Sequence, residues 1–140
     1  MLFQVSLSPK LDKLNSDIAG NLTDCSLDDF IAFHDAFSYF AKRYGLTQHS
    51  IEGLAPEADV DPQRVSDTIS LARQLGVKVI FAEESVDPRL SNTIANEING
   101  QVLVLNPIEV LSQQELESGE DYFSKMYKNL ENLKVALECG

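Results

Sequence analysis

The feature that most constrains this chain is the stretch Phe30–Gly45, FIAFHDAFSYFAKRYG. Four apolar residues, Phe30 to Phe33, stop abruptly at His34 and Asp35. A helical pattern follows at once, with Ala36, Phe37, Phe40, Ala41 and Tyr44 on one face, and it ends at Gly45. That is a strand, a polar corner and a helix in succession. The grammar recurs at Val77–Ala82 with Glu83 and Glu84 behind it, and at Gln101–Leu105 with Asn106-Pro107 behind it. Each corner carries a residue type that can hold a metal ion.

In chain order, residues 1–7 read as an extended lead-in, and Ser8-Pro9 as the N-cap and first residue of a helix. That helix carries Leu11, Leu14 and Ile18 inward and ends at Gly20. Residues 21–29 read as turn. After the opening unit, Ile51 and Leu54 mark a short strand, and Asp61-Pro62 starts a helix with Val65, Ile69, Ala72 and Leu75 on its core face. Asp87-Pro88 repeats that device for a helix carrying Leu90, Ile94 and Ile98. A polar loop, Ser112–Glu120, leads to a last helix with Tyr122, Phe123, Met126, Leu130, Leu133 and Leu137 inward. Gly45, Gly76 and Gly100 read as left-handed helix ends.

Strands separated by helices predict an α/β domain: a four-stranded parallel sheet flanked by helices, (βα)4 with a leading helix. Val77–Ala82, nearly all apolar, reads as a strand covered on both faces. A chain of 140 residues with 44% apolar content suits one such domain.

The net charge of −11 argues against a nucleic-acid partner, since phosphate binding needs a basic face. The apolar runs reach about six residues, against about twenty for a membrane span, and the start of the chain lacks the pattern of a signal peptide. Cys25 and Cys139 have no zinc-finger spacing; they are two thiols or one bridge.

Ligands of an open parallel sheet bind at the carboxyl ends of its strands. His34, Glu83 with Glu84, and Asn106 are therefore the informative positions, because an imidazole with oxygen donors suits zinc or manganese. Each has a plainer reading as well. Asp35 fits an N-cap, Asn106 before Pro107 is common turn chemistry, His49 fits a surface residue, and Tyr39 and Tyr44 fit core or rim aromatics. Phosphate loops and the GxSxG elbow are missing, and no nucleophile–base pair stands out, so no enzyme is expected. A flavodoxin-like regulatory domain is a weaker reading.

The segment FHDAFSYFAKRYGL at 33–46 resembles the C-terminal lobe of the zinc- and manganese-specific solute-binding proteins of ABC transporters (ZnuA/TroA-like). The resemblance continues through IEGLAPEADVDPQRVSDTI at 51–69, VKVIFAEESVDPRLSNTIANEING at 77–100, VLVLNPIEVLS at 102–112 and GEDYFSKMYKNLENLKVAL at 119–137. It implies two α/β lobes joined by a long helix, with the metal between them. Residues 1–29 would then hold the lead-in and the end of that helix, and 30–140 the lobe.

The resemblance matches His34 to the family's ligand histidine, Asn106 to the position of a ligand aspartate, and Glu83 to a glutamate that manganese-type members use. It implies Zn2+ or Mn2+ as the transported ion and an ABC transporter permease as partner. It also implies a missing N-terminal lobe, or a second chain, to complete the site. The intact family protein would work in the periplasm or tethered outside the membrane. Asn106 is a neutral donor where the family has a carboxylate, so weak binding is expected of this lobe alone. The family's usual partner for a cysteine at Cys139 would fall near Val79, which Cys25 does not match. The competing expectation is a structural domain that has lost metal binding and dimerises through the former cleft face.

Overall fold

The computed structural model describes residues 2–33, 35–51, 62–83 and 88–140, with side chains from Leu7 onward. The elements run α1 (Leu2–Asn21), β1 (Asp29–Ala32), α2 (Ser38–Arg43), β2 (Thr47–Ser50), α3 (Pro62–Leu75), β3 (Val79–Ala82), α4 (Arg89–Glu97), β4 (Gln101–Val104), α5 (Gln113–Glu117) and α6 (Tyr122–Ala136). All three strand pairings are parallel and the order is β2-β1-β3-β4. The expected α/β architecture is present. Among the described residues no helix is long and apolar enough to cross a membrane.

The period of two along each strand sorts the core into two layers. Phe30 and Ala32 of β1, Val79 and Phe81 of β3, and Leu103 of β4 all face one side, against Leu14, Ile18, Leu22, Ala41, Leu130 and Leu133. Ile31 and Phe33, Ile80 and Val102 face the other, against Ala72, Ile94, Ala95 and Ile98. Every residue of β3 is buried, as a central strand between two helical layers requires. Phe30 and Phe81 meet edge-to-face across the first layer, with centroids 6.0 Å apart.

Helix ends share one device. The amide of Leu46 reaches Ala41 O, Val77 reaches Ala72 O, Gly100 reaches Ala95 O and Cys139 reaches Lys134 O. Each closes a left-handed turn in which orphan carbonyls find donors. Gly45 (φ 72°) and Gly76 (φ 75°) hold the left-handed position in the first two. In the third it is Asn99 (φ 54°), not Gly100 as expected. Gly100 is needed for a different reason: a Cβ there would lie 2.0 Å from the carbonyl oxygen of Lys78, at the start of β3. Gly100→Ala should therefore destabilise the fold by about 1–3 kcal/mol, read as a lower urea midpoint. An unchanged midpoint would show that the two strand starts can separate freely.

The fourth such turn, with Glu138 at φ 55°, sets the C-terminus against residues 24–27. Ser26 N–H donates to Glu138 O, Leu27 N–H to Leu137 O and Gly140 N–H to Asp24 O. This short antiparallel contact carries the disulfide Cys25–Cys139. Of the two states open from the sequence, the bridged one is observed. Val79 is a buried β3 residue of the core and not part of it.

Other expectations need correcting. The chain is helical from Leu2, so residues 1–7 are not an extended lead-in and Ser8-Pro9 is not a helix start; Pro9 lies inside α1. Leu14, Ile18 and Leu22 bury the helix against the sheet, while Leu11 stays exposed. Tyr127 Oη donates to Asp17 Oδ2 at 2.6 Å, pinning α6 to α1, and Lys13 Nζ, on α1 itself, donates to the same oxygen at 2.8 Å. These two donors, Lys13 first, hold the Asp17 carboxyl below the usual range.

α2 begins at Ser38 with Phe37 at its N-cap, so Asp35 is not the cap. Phe37 N–H is met by Gln48 Oε1 at 2.9 Å, and Ala36 is exposed. Tyr39 is 90% exposed, whereas Tyr44 is half-buried and donates to Asn15 Oδ1. β2 spans Thr47–Ser50 and Ile51 follows it, buried; Leu54 and Asp61 lie outside the described residues. Pro88 is the N-cap of α4 and not its first helical residue, and Asp87 is likewise outside the described residues.

The polar loop expected at Ser112–Glu120 contains α5. Its sequence Ser112-Gln-Gln-Glu115 makes a reciprocal capping box, the Ser112 hydroxyl accepting from Glu115 N–H and Glu115 Oε2 accepting from Ser112 N–H. Tyr122, assigned inward on α6, is 45% exposed.

Candidate functional site

The sheet order places a topological switch between β1 and β3. β1 leads through α2 to β2 on one side, and β3 leads through α4 to β4 on the other. α2 packs in the first core layer and α4 in the second. Such a switch opens a crevice at the carboxyl ends of the strands, the usual ligand position in this fold type.

Backbone bonds bring three strand exits into one row there. Phe33 N–H donates to Phe81 O, setting the exit of β1 beside that of β3. Leu105 N–H donates to Ala82 O, setting the exit of β4 beside Glu83. Glu83 and Asn106 consequently line one cleft of about 280 Å3, together with Pro107, Glu109, Val110 and Ser112. Two of the three sequence-derived ligand positions are thus brought together. His34, the third, and Glu84 lie outside the described residues. Among the described residues no group of three or more His, Cys, Asp or Glu side chains is placed to hold a metal ion.

Asn106 acts first as a loop former. Its Oδ1 accepts the N–H of Ile108 at 2.8 Å, which folds the chain back after β4. Ile108 sits at φ 59°, a region a β-branched residue rarely takes. The Asn106 backbone is held from α6, since the buried Asn129 accepts Asn106 N–H at 2.9 Å and donates to Asn106 O at 2.7 Å.

Glu109, on the same cleft wall, is a carboxylate that sequence reasoning passed over. The signal was an acid three residues beyond Asn106 in the same Asn-Pro-Ile-Glu loop. His49 was expected to stand alone on the surface. It instead pairs with Asp29 at 2.8 Å across the β1–β2 edge, both side chains about a third exposed.

The far end of the loop is tied by charge. Lys125 is buried, and its Nζ lies 2.5 Å from Glu115 Oε1. This ammonium, followed by the Ser112 N–H, holds the Glu115 carboxyl below its usual range. A depressed folded value means the stabilisation is fully present above the ordinary glutamate value of about 4.3 and is lost as the pH falls through the lower folded one. Glu115→Gln should remove part of the acid-side slope of stability, measured as urea midpoints between about pH 3 and 6. An unchanged slope would contradict the pairing.

Residues 5–136 match the family model described as zinc-uptake complex component A, periplasmic (ZnuA). The chain belongs to this family. Zinc-binding protein AdcA of Streptococcus pyogenes is 36% identical over 131 residues, 94% of this chain and 25% of the relative. The high-affinity zinc uptake system protein ZnuA of Bacillus subtilis is 38% identical over 109 residues, 78% of this chain and 34% of the relative. The solved Zn(II)-bound ZnuA-like domain of Streptococcus pneumoniae AdcA superposes with a TM-score of 0.79 at 33% identity. That match takes in 96% of this chain and 50% of that structure. The chain therefore spans about a quarter of the length of the first curated ZnuA-family relatives it matches, and half of the structurally similar domain.

Proposed function

We propose that this chain is the C-terminal lobe of a two-lobe solute-binding protein, capturing a divalent cation for an ABC importer by binding rather than by catalysis. The observation that carries the reading is the cleft at the carboxyl ends of β3 and β4, which Glu83, Asn106 and Glu109 line from adjacent strand exits. His34 supplies the nitrogen donor and the cleft the oxygens, a mixed set that suits zinc ahead of manganese. Glu109 is the stronger oxygen donor of its loop, since Asn106 is neutral and its Oδ1 already accepts a hydrogen bond. In this reading α1 is the end of the helix joining the lobes, and residues 30–140 form the lobe itself. The remaining ligands come from a second lobe, in the same protein or in another chain, and closure of the two lobes traps the ion. The Cys25–Cys139 bridge fits an oxidising compartment outside the cytoplasm.

Native mass spectrometry of the metal-stripped chain with added zinc tests the reading. One zinc per monomer, or one shared by a dimer that rebuilds the cleft, would support it. A metal-independent dimer that takes up no zinc would replace it with an interaction domain.

A further inference from the structure

α6 carries two buried polar side chains one turn apart, Lys125 and Asn129, on a face otherwise made of Met126, Leu130 and Leu133. Burying polar groups is unfavourable unless they are bonded, so their partners indicate their role. Both serve the loop between β4 and α5. Asn129 grips its start, pairing its amide with the N–H and C=O of Asn106. Lys125 grips its end, since Glu115 bonds Lys125 through Oε1 and the Ser112 amide through Oε2. Between these anchors lie Ile108, in its left-handed conformation, and Glu109, on the cleft wall. Asn132, one turn beyond Asn129, donates to Val104 O and extends the same line of contacts along β4.

We propose that Asn129 and Lys125 are positioning residues for the cleft, fixing both ends of segment 106–112 and so the height at which it presents Asn106 and Glu109 to a divalent cation. This rests on the metal-binding reading above and adds to it that α6, on the far side of the loop from the ion, sets the affinity. A shift of α6 against the sheet would move the oxygen donors directly. Outer groups of this kind typically carry about 10–100-fold in metal affinity.

The test uses the disulfide-bonded chain with zinc as the probe, comparing the parent with Asn129→Asp, which keeps size but loses the donor, and Lys125→Met, which keeps the packing. Zinc affinity is measured by competition with a chelator, and amide exchange is followed at Ile108, Ser112 and the β3 residues Ile80 and Phe81. The Ile108 and Ser112 amides donate to Asn106 Oδ1 and Glu115 Oε2, not to the mutated side chains. We expect each variant to lose about tenfold or more in zinc affinity. Exchange should quicken at Ile108 in Asn129→Asp and at Ser112 in Lys125→Met, while β3 stays protected. Parental affinity in both variants would overturn the proposal. If the parent itself takes up no zinc, the metal-binding reading fails on its own account. The positioning role is then decided by exchange alone: faster exchange at those two amides supports it, and unchanged exchange overturns it. Should Lys125→Met lose β3 protection as well, the Asn129→Asp result alone decides.

Discussion

Opening the Cys25–Cys139 bridge should cost about 4 kcal/mol, the largest stability loss expected from any single covalent change in this chain. The two cysteines are 114 residues apart, so the bridge closes nearly the whole sequence into one loop. Closing a loop of that size in the unfolded chain removes more entropy than a short bridge does, and the gain grows with the logarithm of loop length. The native state needs little adjustment to accept it. The antiparallel contact of residues 24–27 with 137–140 is held by its own backbone bonds, and the left-handed turn at Glu138 already directs Cys139 toward Cys25. The double variant Cys25→Ser/Cys139→Ser should therefore remain folded, with its melting temperature lower by roughly 10–15 °C for a domain of this size. Equal melting of variant and oxidised parent would mean that the two termini do not constrain each other.

The second large effect concerns the cation. A complete structural zinc site contributes about 10–16 kcal/mol, or roughly 2.5–4 kcal/mol for each of four ligands. A nitrogen donor is the strongest neutral ligand this lobe can offer, and in our reading His34 supplies it. His34→Ala should then weaken zinc binding by ~10²–10³-fold, with little effect on stability. Glu83→Gln should have a smaller effect, because Glu109 on the same cleft wall can substitute as oxygen donor.

The layered architecture was legible because the strands are short, apolar and evenly separated by amphipathic helices. Alternation along Phe30–Phe33 and Val79–Ala82 sends successive side chains to opposite layers, and no tertiary contact overrides it. Local signals failed where long-range packing decides. Pro9 looked like a helix start, but Leu14, Ile18 and Leu22 bind α1 to the sheet and the helix continues upstream past the proline. The second strand was expected on the strength of Ile51 and Leu54, but the residues that pair with β1 are the polar Thr47–Ser50 just before them. Gly100 looked like a left-handed cap because it follows Asn99, while its actual constraint is a backbone approach to Lys78 that only the folded pair reveals.

The candidate site was half legible. Parallel topology alone led to Glu83 and Asn106, since strand exits share an edge. Glu109 was missed because its place on the cleft wall depends on the turn at Asn106 and Ile108. Asn129 and Lys125 were missed because a polar residue within a helical pattern gives no sign in sequence of what it will meet. The capping box at Ser112–Glu115 did carry a local signature, and it marks where the loop ends and α5 begins.

The most direct measurement is titration calorimetry of zinc into the metal-stripped, disulfide-bonded chain, run beside His34→Ala. The account predicts uptake in the parent that is lost or weakened at least a hundredfold in the variant. Equal zinc uptake by the two, or none by the parent, would contradict the claim that this lobe holds the ion through His34.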